Sequence, residues 1–107
     1  MADIFVSYAR EDRARVTPFI DLLVAQGWSV WWDRALTPGT TFENVIDAEI
    51  TGARGVLVFW SKNSVKSDWV LAEANDGLER DILIPIMLDE VRVPLVFRRK
   101  QSAFLVG

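Results

Sequence analysis

Gly55-Val56-Leu57-Val58-Phe59-Trp60 is an unbroken apolar run, and after a short polar connection it is followed by Ser67-Asp68-Trp69-Val70-Leu71-Ala72-Glu73. The first segment reads as a strand covered on both faces, because a half-exposed strand would alternate polar and apolar residues. The second reads as a helix start: Ser67 is a good N-cap, and Asp68 favours the positive end of the helix dipole. Strand followed by helix is the repeating unit of a parallel α/β sheet. Trp69 and Glu73 are one turn apart, which puts an indole and a carboxylate on one flank. A helix leaving the carboxyl end of a buried strand brings such residues to the edge where open α/β sheets bind ligands. The same spacing predicts that Val70, Leu71, Ala74 and Leu78 form the core face, with Trp69, Glu73 and Asp76 on another side.

Working toward the N-terminus, Phe42, Val45, Ile46, Ile50 and Ala53 make the stripe of a preceding helix that ends near Gly52. Thr40 and Glu43 fit a capping box at its start. Trp28-Ser29-Val30-Trp31-Trp32 reads as a strand, and Pro38-Gly39 as a turn in the loop after it. Arg10 to Gln26 reads as another helix, with Val16, Phe19, Ile20 and Leu23 inward and Gly27 as its stop. Pro18 allows two readings: a kink within that helix, or a regular part that starts with Thr17 as N-cap. Ile4-Phe5-Val6-Ser7-Tyr8 is a short buried strand.

Toward the C-terminus, Ile82 to Leu88 is a strand in which Pro85 marks a bulge or the end of pairing on one side. Val93 onward begins with a proline-initiated turn or short helix and ends in an edge strand near Ala103-Phe104-Leu105-Val106. The whole alternates strand and helix, which predicts a parallel sheet with helices on both faces. No final helix follows the last strand, so the expectation is one domain over residues 1–107, cut from a longer multidomain protein.

With 107 residues and half of them hydrophobic, the chain can bury one core. A net charge of −3 argues against a nucleic-acid surface, and Arg98-Arg99-Lys100 is too short a basic run to track phosphates. No apolar run approaches a membrane span, and Met1-Ala2-Asp3 lacks a signal-peptide start. Cysteine and histidine are both missing, which excludes thiolate nucleophiles, Ser-His-Asp triads and ordinary zinc sites. The expected compartment is therefore the cytoplasm, with no metal site. No glycine-rich phosphate loop is present either.

Four segments in order resemble the Toll/interleukin-1 receptor (TIR) domain family of bacteria. They are Ile4 to Tyr8; Trp32-Asp33-Arg34 with Leu36, Pro38-Gly39 and Phe42; Ser67-Asp68-Trp69 with Glu73; and Phe97-Arg98 with Gln101. The resemblance covers nearly the whole chain and implies a flavodoxin-like α/β fold of strand order 2-1-3-4-5, with the usual C-terminal helix absent. It implies that Glu73 is the catalytic glutamate of members that hydrolyse NAD+. Trp69, Tyr8, Arg10 and Asp33 would bind substrate, and the loop of Arg34, Leu36, Pro38 and Gly39 would gate the crevice or take part in assembly. NAD+ would be substrate, with no cofactor. The product would be nicotinamide with ADP-ribose or a cyclic form, in antiphage defence, with other TIR domains as partners in a homo-oligomer or filament and a fused sensor domain.

Plainer readings stand beside these. Trp28, Trp31, Trp32 and Trp60 suit strand packing. Arg10 suits surface charge, and Asp33 suits a loop cap. A non-enzymatic TIR–TIR adaptor module is the alternative function. A phosphoacceptor receiver is discounted, because the central strand ends in Phe59-Trp60-Ser61 rather than in an aspartate.

Overall fold

The computed structural model describes residues 3–32, 42–97 and 103–104, with backbone alone at 42–44 and 103–104. Five parallel strands form one sheet of order β2-β1-β3-β4-β5. They are β1 (Ile4–Ser7), β2 (Val30–Trp31), β3 (Gly55–Trp60), β4 (Leu83–Met87) and β5 (Ala103–Phe104). The order reverses between β1 and β3, so the predicted flavodoxin-like α/β architecture is the observed one. All six residues of β3 are buried, as its apolar run requires.

Side chains on a strand alternate between faces, and this sorts the core into two layers. Phe5, Val56, Val58 and Trp60 face α2 (Phe42–Gly52) and α3 (Asp68–Glu79), meeting Ile46, Ile50, Val70 and Ala74. Val6, Tyr8, Leu57 and Phe59 face α1 (Arg13–Ala25), meeting Val16 and Ile20. On the α1 side an apolar groove of about 620 Å³ stays open between Phe19, Leu22, Trp28, Leu57, Ile84 and Ile86.

Local chemistry sets the element ends. A 3-10 turn, Arg10–Asp12, leads into α1, which continues past Pro18. Of the two readings of Pro18, the helix is continuous through it and is not started at Thr17. The Thr17 hydroxyl instead donates back to the Arg13 carbonyl at 2.7 Å. Gly27, at φ +94°, ends the helix: its N–H reaches the Val24 carbonyl and that of Trp28 reaches Leu23, at 3.0 and 3.1 Å. The end of α3 repeats this pattern with Asp81 in the left-handed place, its N–H bonded to Leu78 and that of Ile82 to Gly77. Pro85 lies inside β4 opposite Val58 of β3, and β5 pairs only with Ile86 and Met87 among the described residues, just after the proline.

Candidate active site at the carboxyl edge of the sheet

Helix α3 starts at the carboxyl edge, where Ser67 Oγ accepts the Val70 N–H at 3.3 Å. Its buried residues are Val70, Glu73, Ala74 and Gly77, while Leu71 and Leu78 are half-buried. The expected core face holds at Val70 and Ala74, and Leu71 and Leu78 pack at its margin. At 100° per residue, however, the buried stripe is centred roughly 60° away from the one expected through Val70, Leu71, Ala74 and Leu78. Gly77 explains the rotation. A Cβ there would lie 2.9 Å from Val56 Cβ, so only glycine lets this stripe settle onto β3. The rotation turns Glu73 inward.

Glu73 is 3% exposed, and its Oε1 accepts a hydrogen bond of 2.7 Å from the hydroxyl of Ser7, itself fully buried. Ser7 ends β1 and shares the face of Phe5, which looks toward α3. The carboxylate is thus held out of bulk water at the end of the strand where the sheet order reverses. Trp69, one turn earlier, is 46% exposed at the rim.

The other candidates are distributed around this point. Tyr8 packs in the opposite layer, with Val16 and Ile20, and its hydroxyl donates to the Trp32 carbonyl at 3.1 Å. Arg13 lies over the Trp32 ring at 4.7 Å, a cation–π contact that fixes the end of β2. Arg10 is exposed in the 3-10 turn after β1. Asp33, Arg34, Leu36, Pro38 and Gly39 lie outside the described residues, as do Thr40, Arg98, Gln101, Leu105 and Val106. The structure therefore joins Glu73 to Ser7, leaves Trp69 exposed one helical turn before it, and directs Tyr8 to the far face.

A second polar cluster ties the loops of the same edge together. Asp12, buried, accepts the Ser61 hydroxyl and the Asn63 amide, the latter at 3.0 Å. Ser61 Oγ in turn accepts the N–H groups of Asn63 and Ser64. Arg15 bridges Asp12 at 3.5 Å and Asp89 at 2.8 Å, and donates to the Leu88 carbonyl. The Arg15 guanidinium and then the Lys62 N–H lower the Asp89 carboxyl from 3.8 to about 2. The segments after β1, β3 and β4 are thereby cross-linked by side chains.

Ser7, Asp12, Ser61 and Asn63 were not among the expected residues. Two had a signal. Ser7 has the parity of Phe5, so it must look toward α2 and α3. Asp12 precedes Val16 and Ile20 by whole turns, which marks it as an inward polar residue. Ser61 and Asn63 had none, since only the folded register brings them to Asp12.

A family model described as TIR domain matches residues 4–107. The chain belongs to the TIR family. Among curated relatives, it is 31% identical over 93 residues to the "Probable 2′ cyclic ADP-D-ribose synthase TcpO" of Methanobrevibacter olleyae, covering 81% of this chain and 27% of that protein. It is 37% identical over 78 residues to the "NAD(+) hydrolase PdTIR" of Paracoccus denitrificans, covering 71% of this chain and 26% of that protein. This TIR domain thus spans about a quarter of the length of both relatives. Its fold is similar to the crystal structure of the TIR domain of the Toll-related receptor TRR-2 from Hydra magnipapillata, with TM-score 0.89 at 24% identity over 98% of this chain and 85% of that one.

Proposed function

We propose that this TIR domain cleaves the bond between nicotinamide and ribose in NAD+, with Glu73 as the catalytic residue. The observation that carries the reading is the placement of Glu73: a carboxylate buried and oriented at the carboxyl end of β1, one helical turn after the exposed Trp69. Two curated relatives whose names refer to NAD+ hydrolysis and to cyclic ADP-ribose synthesis support it.

One carboxylate suffices for this reaction. Glycosidases commonly pair theirs, one of them protonating a departing oxygen. In NAD+ the leaving ring is a pyridinium. The C1′–N bond breaks with both electrons going to nitrogen, and nicotinamide departs neutral without a proton. The ribose is left electron-poor at C1′. A carboxylate beside it stabilises that charge, and in a water-poor site such an interaction is worth on the order of 3 kcal/mol. Water then adds at C1′ and loses a proton, giving ADP-ribose; attack by a hydroxyl of the same molecule gives a cyclic product. Trp69 supplies a face on which the cationic ring stacks before departure, worth about 1 kcal/mol.

In this reading activity depends on TIR–TIR assembly, in a cell-defence role triggered through domains elsewhere in a longer protein. The test is NAD+ consumption by the purified chain over a dilution series. Glu73→Ala is expected to lower kcat by about 10²–10³-fold. Trp69→Ala is expected to raise KM several-fold, with a smaller effect on kcat. Equal rates for wild type and Glu73→Ala would remove Glu73 from the reaction. A chain that self-associates yet never turns over NAD+ would point to the adaptor function instead.

A further inference from the structure

We propose that Ser7 is a positioning residue for the Glu73 carboxylate, so that the end of β1 sets the geometry of the reaction; this rests on the reading of Glu73 as the catalytic group. Glutamate has three side-chain torsions and loses rotamer freedom only when something holds its head. Here the hydroxyl of Ser7 holds Oε1 at 2.7 Å. Both residues are buried, so water does not compete for the bond, and the low local dielectric strengthens it. The two residues are 66 positions apart, one on the strand at the switch point and the other on the helix that brings Trp69 to the rim. Ser7 itself has no place at the reacting carbon. It acts by anchoring Oε1, which fixes the orientation of the carboxylate plane.

A hydroxyl at position 7 is therefore required, and its loss should affect the transition state more than substrate binding. Misplacing a reacting group by about 1 Å costs on the order of 100-fold. Ser7→Ala is expected to lower kcat by about 10- to 100-fold with little change in KM. Ser7→Thr, which keeps the hydroxyl, is expected to recover most of that loss. Melting temperatures of wild type, Ser7→Ala, Glu73→Ala and the double variant supply a readout independent of turnover. Their shifts are expected to be non-additive, because each single change breaks the same contact.

Additive melting shifts would overturn the inference, and so would a Ser7→Ala enzyme with wild-type kcat beside an inactive Glu73→Ala. A fall in kcat accompanied by an equal rise in KM would also overturn it, since that is the mark of general damage. If Glu73→Ala keeps full activity, the reading of the catalytic group fails first. The melting-temperature cycle then reports on the Ser7–Glu73 contact alone.

Discussion

At the scale of single residues, a carboxylate's value depends on what fixes it. Glu73 accepts the Ser7 hydroxyl in the core, and Asp89 accepts from a guanidinium and a backbone N–H at the surface. The second case gives a pH prediction. The folded state lowers the Asp89 carboxyl to about 2 from an ordinary 3.8. A depressed acid stabilises the fold above its unfolded value and loses that contribution as pH falls through the folded one. Asp89→Asn is therefore expected to melt below wild type near neutral pH, with the gap closing as pH falls from about 4 toward 2. Thermal melts of both proteins across that window check it. A gap independent of pH would mean that packing of the side chain, rather than its charge, is what matters.

At the scale of elements, two glycines act by different physics. Gly27 stands in the left-handed region with open space around it, so a Cβ meets no atom and the cost of alanine is conformational. Gly27→Ala is expected to destabilise by about 1 kcal/mol, roughly 4–8 °C in melting temperature, without touching turnover. Gly77 is ordinary helix, but a Cβ there strikes Val56. Gly77→Ala is expected to cost about 1–3 kcal/mol by overpacking. It also lifts α3 from β3 and draws Glu73 away from Ser7, so kcat falls as well. Calorimetry with NAD+ turnover on the two variants separates the cases. Arg80 couples elements in another way, donating to the Ile50, Thr51 and Ala53 carbonyls and so capping the end of α2 from the end of α3. Removing those donors by Arg80→Met is expected to lower stability by about 1–3 kcal/mol.

At the scale of the whole molecule, the sheet brings chemistry to one edge. Ser7, Ser61 and Asp89 follow or end three adjacent strands, and α3 returns from that edge carrying Trp69 and Glu73. Parallel strands make this inevitable, since every strand points the same way. Assembly belongs to this scale. If a neighbouring copy completes the site, specific activity is expected to rise with protein concentration and to track light scattering across a dilution series. Constant specific activity would mean that one copy is sufficient.

Much of this architecture is written in local pattern. The six apolar residues of β3, the caps at Gly27 and Ser67, and the alternation of strand with helix depend on neighbours in the chain, so they are legible without coordinates. The Trp69–Glu73 pair is legible for the same reason, being a single helical turn. The helix rotation is not: it depends on the missing side chain of Gly77 meeting Val56, a contact between separate elements. Nor are the bonds of Ser7 to Glu73, Asp12 to Ser61, and Arg15 to Asp89. Each joins distant residues that meet only after the strands align, and no periodicity along the chain encodes which polar groups then fall within reach.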